Sequence, residues 1–306
     1  MNLQRTLKST LNLTGIGLHS GKQVDLAIHP ALPNTGIVFM RSDLPGRPRI
    51  SAHYKNVVST QMATTLGSGR VTISTVEHLL AAFQGLGVDN ALVEVNAPEV
   101  PIMDGSSAVF FEKIQEIGLQ FQLQSRPYLA LRRRVEVKLN EKWAVAEPCS
   151  RLEIEASIDW DHPVIGYQEF RYIEGKTDFR ELASARTFGF LRDVEALKQA
   201  GLARGGSLDN AVVLDDARVL NPDGLRYNDE FVRHKVLDAL GDFKLAGIAI
   251  QAHVKLHRSG HDLHSQLLSA IFRDPDHFEI VDGSSEKTET RPARIRAALA
   301  RAFAVV

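Results

Sequence analysis

The sequence predicts an α+β fold in two halves that share one site. Three observations carry this expectation. Strand-like alternation and helix-like periodicity are mixed along the whole chain, with no long block of either. The 306 residues suffice for two domains of ordinary size. Each half also runs through strands, a helix, a strand, a loop and a second helix, with His78 to Asp104 spanning 26 positions and His234 to His261 spanning 27. That shared order hints at a duplicated unit with both halves contributing to one site between them. Identity between the halves is too low to establish it, and chance likeness of two α+β modules is the alternative.

The elements follow in order. Val24, Leu26 and Ile28 alternate with Asp25 and Ala27, the pattern of a half-buried strand, and Ile37 to Met40 reads as a second. A helix is predicted from near Ser74 to about Gly85, then a strand from Asn90 to Asn96 and a loop holding Pro98 and Pro101. A second helix follows Ser106 and Ser107, with Phe110, Phe111, Ile114 and Ile117 on its buried side. The polar stretch Gln120 to Pro127 reads as weakly structured and is the expected boundary between domains 1–124 and 125–283. Strands are expected at Tyr128–Leu131, Val135–Leu139 and Leu152–Ile158, and a helix near Asp193–Ala200 before a turn at Gly205 and Gly206. Then come a helix from about Asp229 to Phe243, a strand from Gly247 to Leu256 and a core helix from Gly260 to Phe272. Beyond Gly283 the segment 284–306 is a polar linker, with Ile295, Leu299 and Phe303 at the spacing of an amphipathic helix. Packing on its own protein or fraying is the main reading of that tail; a peripheral membrane contact through its arginines is the minor one.

Composition narrows the function classes. A hydrophobic fraction of 44% with 24% charged residues is that of a soluble globular chain. A formal net charge of −1 provides no broad field for nucleic acid or an anionic membrane. The single cysteine, Cys149, excludes an intrachain disulfide and a thiolate zinc site, so a metal must sit on His, Asp or Glu. No stretch has the length of a transmembrane segment and the N-terminus has no apolar leader core, so a cytoplasmic protein is expected.

Four segments could carry chemistry. In the helix at Ser74, Val76, Leu79, Leu80 and Phe83 form one stripe and His78 lies away from it. Ser74-x-x-Glu77 is also a capping-box pattern, and taken alone Glu77 reads as a cap and His78 as solvent-facing. In the helix at Asp229, His234 and Asp238 share a face opposite Val232, Val236 and Leu240. That pair could bind one metal or form a surface hydrogen bond, and the motif is weak by itself. His78, His234 and Asp238 together would make a three-ligand set with a fourth tetrahedral position open, the design of catalytic zinc sites. His261 stands at the mouth of the last helix, where the helix terminus would lower its pKa and a nearby carboxylate raise it; His264, a turn further in, reads as structural. Finally, Thr187 lies beside Phe188 and Phe190 on a glycine-containing segment, which suits either a substrate-lining loop or an ordinary turn with core aromatics.

Several of these segments occur together in a known order. They are Thr14-Gly-Ile-Gly-Leu-His-Ser-Gly21, Ser74-Thr-Val-Glu-His78, Asn96-Ala-Pro-Glu-Val-Pro-Ile-Met-Asp-Gly105, Ala185-Arg-Thr-Phe-Gly-Phe190, Gly205-Gly-Ser-Leu-Asp-Asn210, His234-Lys-Val-Leu-Asp238 and Ser259-Gly-His261. On them the chain resembles the UDP-3-O-acyl-N-acetylglucosamine deacetylases, zinc enzymes of bacterial lipid A synthesis, from Thr14 to about Phe272. The resemblance implies two α/β sandwich domains of similar layout with the zinc between them, and an insert in the second domain that forms a passage for the acyl chain. It implies zinc ligation by His78, His234 and Asp238, with Glu77 as general base and His261 as cationic general acid backed by Asp242. It further implies Thr187 as an oxyanion contact, Lys235 as a substrate-binding residue beside the metal, and Phe188 and Phe190 in the substrate-holding region. The implied substrates are UDP-3-O-acyl-N-acetylglucosamine and water. Arg258 stands where the resemblance leads one to expect Lys, which keeps the charge and alters its geometry, and the tail after Gly283 has no clear counterpart.

Overall fold

The computed structural model of the chain describes residues 2–283, so the amphipathic tail expected in 284–306 lies outside the described residues. The fold is α+β. In the first half a five-stranded sheet has the order Leu11–Ile16, Gln23–Pro30, Ala91–Val95, Ile37–Arg41, Arg49–Ser51. Its successive pairings are antiparallel, antiparallel, parallel and antiparallel. Helix α1 (Glu77–Leu86) precedes the middle strand and helix α2 (Ala108–Ile117) follows it.

The second half repeats that arrangement. Val135–Leu139, Lys142–Pro148, Ala249–His257, Leu152–Trp160 and Gly166–Ile173 lie side by side with the same sequence of directions. After the short helix α3 (Arg180–Ala183) and helix α4 (Leu191–Gln199), helix α5 (Glu230–Lys244) precedes the middle strand and helix α6 (His261–Arg273) follows it. Strands Tyr128–Leu131 and Phe278–Val281 extend this sheet. The two sheets therefore share strand order, strand direction and helix placement.

Helices α1 and α5 pack on each other, α2 packs on α1, and α6 packs on α5. One continuous apolar core runs through both halves, from Phe39, Leu79 and Phe83 to Phe231, Leu237 and Leu268. The expected faces hold: Val232, Val236 and Leu240 are buried, as are Leu152, Ile154, Ala156 and Ile158 on one side of their strand. Burial on α1 and α5 is broader than one stripe, because each helix has neighbours on several sides.

The stretch after Gln120 differs from expectation. Leu119–Ser125 is a strand paired antiparallel with Leu3–Leu7. Its alternating Gln, Phe and Leu residues carry no burial signal because Phe121 and Leu123 are themselves exposed. Backbone pairing holds it together with Gln122, which accepts from the Asn90 amide and donates to the Ala31 carbonyl, and such hydrogen bonds leave no trace in hydropathy.

At the α1–α5 contact Gly241 lies against the backbone of Glu77. A Cβ built there would stand 2.0 Å from the Glu77 carbonyl oxygen. The expected outcome for Gly241→Ala is a loss of about 1–3 kcal/mol, the usual cost of overpacking, or more if backbone cannot yield. Denaturant unfolding of both proteins checks this, and equal midpoints would mean that the helices separate freely.

Candidate active site

The site is assembled where α1, α5 and α6 meet. Thr75, Met62 and Arg258 all have positive φ, at 58°, 63° and 48°. Each lies two or three residues before a residue of the site: Glu77, Thr64 and His261. Such conformations cost about 1–3 kcal/mol each and persist where surrounding contacts over-determine them. At Thr75 the contact is visible: its hydroxyl donates to Glu99 Oε1 at 3.1 Å, and Glu99 also accepts the backbone N–H groups of His19 and Ser20. The capping box is not formed. Helix α1 begins at Glu77 without a side-chain cap, Ser74 bonds the Thr65 hydroxyl, and Glu77 Oε2 accepts the Thr64 N–H instead.

His78, His234 and Asp238 converge in the interior, each no more than 4% exposed, so His78 is not a solvent-facing residue. His78 Nε2 and His234 Nε2 stand 3.5 and 3.4 Å from Asp238 Oδ1. Ligand atoms at zinc bond lengths and tetrahedral angles are about 3.3–3.4 Å apart. The second atoms of two ligands are held from outside. His234 Nδ1 lies 3.0 Å from the Ala185 carbonyl, which can only accept, so this nitrogen carries the proton and Nε2 keeps its lone pair. Lys235 Nζ donates to Asp238 Oδ2 at 2.9 Å. Asp238 Oδ1 itself is buried without a hydrogen-bond donor, a costly state for a carboxylate oxygen and one that a cation relieves. Burial lowers the His234 pKa to about 3 against the opposing pull of Asp238, which keeps the imidazole neutral and able to ligate. The residues present fit a divalent metal.

A second cluster adjoins the first. Glu77 is 3% exposed, and burial raises its pKa, with His261 and His78 opposing. His261 Nε2 lies 3.8 Å from Glu77 Oε1, and His261 Nδ1 bonds Asp242 Oδ2 at 2.7 Å. Burial alone would lower the His261 pKa, but Asp242, with help from Asp238 and Glu77, pushes it up to about 10. Asp242 is held far below the usual carboxylate range: burial would raise it, and the two imidazoles at its oxygens overcome that. Thr64, which nothing in the sequence singled out, links the cluster: its N–H reaches Glu77 and its hydroxyl donates to Asp242 Oδ1 at 2.6 Å.

The segment Ala185–Phe190 borders this centre. A buried ion pair secures it to the first turn of α5: Arg186 Nε and Nη2 meet Glu230 Oε1 and Oε2 at 2.8 and 3.1 Å. Glu230 also accepts the backbone N–H groups of Arg186 and Arg226. This is why the Ala185 carbonyl stands at His234. Thr187 is attached through its backbone, with its N–H on the Gly105 carbonyl at 2.7 Å and its carbonyl accepting from Val212. The Phe188 ring lies 6.2 Å from the His234 ring and 5.0 Å from Phe231, with Lys235 Nζ 5.6 Å from its centre. Phe190 stands further out, beside Trp160 and His162 and under the Arg192 guanidinium. Phe188–Phe190 pairs in parallel with Val212–Leu214 across α4, whose side chains are without full burial.

The halves are also joined near this segment. Gly105, at φ 85°, would put a Cβ 2.0 Å from the Asn210 carbonyl oxygen, and Arg226 Nη1 donates to Asp104 Oδ2 at 2.7 Å. The Ser107 hydroxyl donates to the His78 carbonyl, seating α2 on the first turn of α1.

With this geometry in view, likeness to known proteins is informative. A family model described as UDP-3-O-acyl N-acetylglycosamine deacetylase matches residues 4–273. The UDP-3-O-acyl-N-acetylglucosamine deacetylase of Myxococcus xanthus is 49% identical over 287 residues, covering 94% of this chain and 91% of its own. The protein of the same name from Acidithiobacillus ferrooxidans is 48% identical, covering 91% of this chain and 93% of its own. That from Shewanella loihica is 46% identical, covering 95% and 96%.

Removing one of the three converging groups should cost most of the metal affinity. His78→Ala is expected to lose bound metal on dialysis while the folded circular-dichroism spectrum remains; metal retention equal to that of the unaltered protein would remove His78 from the ligand set.

Proposed function

This chain belongs to the UDP-3-O-acyl N-acetylglycosamine deacetylase family, and we propose that it hydrolyses the acetamide of UDP-3-O-acyl-N-acetylglucosamine in lipid A biosynthesis. The products are acetate and the free amino sugar, its ester-linked acyl chain intact. One observation carries the reading beyond family membership. The buried His78–His234–Asp238 set adjoins a buried carboxylate and a charged imidazole, Glu77 and His261. A purely structural metal site needs neither.

His78, His234 and Asp238 would hold zinc, which supplies Lewis acidity toward the carbonyl oxygen and toward water. Glu77 serves as general base: ionised, it takes a proton from the attacking water, and the Thr64 N–H keeps its other oxygen aligned. His261 enters as the imidazolium. With Asp242 holding Nδ1, its Nε2–H faces the reacting centre, steadies negative charge on the carbonyl oxygen and then protonates the departing nitrogen. Thr187 joins in holding that oxygen. Lys235 holds Asp238 in place and stands ready for the substrate, and Phe188 and Phe190 line the approach.

The domain division at 1–124 and 125–283 is part of the proposal. The first domain supplies Glu77 and His78; the second supplies Thr187, His234, Asp238 and His261, with the Phe188–Leu214 region as the insert for the acyl chain. Among the described residues no helix is long and apolar enough to cross a membrane. A cytoplasmic enzyme that meets a lipid-linked sugar nucleotide accords with this reading.

Acetate release from UDP-3-O-acyl-N-acetylglucosamine by the purified protein, before chelation, after it and with zinc restored, tests the proposal. Activity should vanish on chelation and return with zinc; an inactive, folded, zinc-loaded protein would direct the assignment to another N-acyl sugar. Glu77→Ala should abolish most turnover and keep zinc, and loss of the metal would make Glu77 a ligand. Activity should rise with pH as Glu77 ionises through its raised pKa and fall as His261 loses its proton near pH 10. A profile without the alkaline fall would refute a cationic His261.

A further inference from the structure

His264 is fully buried, has no place in the mechanism above, and shares a carboxylate oxygen with His261. Its Nδ1 lies 2.8 Å from Asp242 Oδ2, the same oxygen that His261 Nδ1 meets at 2.7 Å. Its Nε2 lies 3.0 Å from the Ser259 hydroxyl. The protons can be assigned by elimination. Asp242 is ionised and its oxygens only accept, so both imidazoles carry hydrogen on Nδ1. The Ser259 hydroxyl meets His264 at Nε2, the nitrogen turned away from the carboxylate. Asp242 thus receives three donors: His261 and His264 on Oδ2 and Thr64 on Oδ1.

A carboxylate held at one oxygen by a threonine and at the other by a single histidine can still rotate about its Cβ–Cγ bond, a broad and soft torsion. A second donor on Oδ2, arriving from a different direction, removes that freedom. His264 is itself restrained at both nitrogens, and its ring packs at 5.6 Å from Phe243. Ser259 and His264 flank His261 on the chain, so the segment that presents His261 also carries the brace for its partner. The two imidazole rings lie nearly perpendicular, at 87° and 6.3 Å, which lets both reach one oxygen without stacking.

We infer that His264 is a positioning residue of the deacetylation reaction, locking Asp242 so that Oδ2 stays in line with His261 Nδ1, and that Ser259 in turn holds His264. The inference rests on the proposed general-acid role of His261. It does not require that His264 touch substrate or metal.

The test compares His264→Leu, His264→Asn and Ser259→Ala in the zinc-loaded enzyme. Leucine removes the donor, whereas asparagine places an amide N–H where Nδ1–H stood. For His264→Leu, kcat should fall about 10- to 100-fold, the range seen when an outer hydrogen-bond partner of a site is lost, with KM nearly unchanged. His264→Asn should recover most of that loss. In proton NMR the far-downfield resonance of the His261 Nδ1–H, expected from its short bond to Asp242, should broaden or shift upfield in His264→Leu and persist in His264→Asn. Should His264→Leu fail to fold, Ser259→Ala carries the test, with a smaller fall in kcat and the same broadening. Unaltered kcat and an intact resonance in either variant would overturn the inference. So would an asparagine variant that holds zinc and is as impaired as leucine. If the unaltered enzyme releases no acetate, the general-acid reading has failed; if it is active and the variants match it, only the role of His264 has.

Discussion

The site depends on how closely α1 and α5 approach. Glu77 and His78 come from the first turn of one helix; His234, Asp238 and Asp242 come from successive turns of the other. The two sets meet where Gly241 presents no side chain to the Glu77 carbonyl. That close contact is one of those that bring His78 near Asp238. It also seats Glu77 beside His261 and lets Thr64 bridge Glu77 to Asp242. A helix pair separated by even one methyl group would keep every residue and lose these distances, since packed interiors transmit small displacements rather than absorb them.

Electrostatics follow from that geometry. Four ionisable side chains, Glu77, Asp238, Asp242 and His261, are packed largely out of solvent, and isolated charges there would be strongly unfavourable. The arrangement divides them by partner. Asp242 receives three donors and stays ionised; His261 faces carboxylates and stays charged; Glu77 has one backbone donor and is the group that burial shifts upward. A buried carboxyl shifted upward and an imidazole that holds its proton thereby stand side by side, the combination that the proposed base and acid require. Asp238 is the exception among the carboxylates. One oxygen has Lys235 and the other has no donor, so its charge is directed at the two histidine Nε2 atoms.

The two sheets supply the frame. Because they share strand order and direction, each places one helix before and one after its middle strand, and the pair preceding the middle strands, α1 and α5, is the pair that meets. The Ala185–Phe190 segment is then added from the second half and fastened by the buried Arg186–Glu230 pair, which brings a backbone carbonyl to His234 and the Phe188 ring beside it. Buried ion pairs add little net stability; here the pair's evident consequence is register.

Much of this was legible in the residues. Periodicity located α1, α2, α5 and α6 to within a few positions, and the i,i+4 spacing put His234 and Asp238 on one face. The joint motifs identified the family. Local reading was misleading where two explanations shared one pattern. Ser74-x-x-Glu77 has the form of a cap, yet Ser74 bonds Thr65 and Glu77 accepts from Thr64, partners from a different segment. His78 looked solvent-facing because the helix that covers it lies more than 150 residues away in the chain. Thr64 and the bracing role of His264 left no signal at all, because a hydrogen bond between distant residues has no periodicity and no characteristic composition. The sequence alone determined which side chains could ligate and which helices would carry them. Only the tertiary structure decided which histidines share a carboxylate and how near Glu77 stands to His261. Those are distances across the chain, governed by packing rather than by local order.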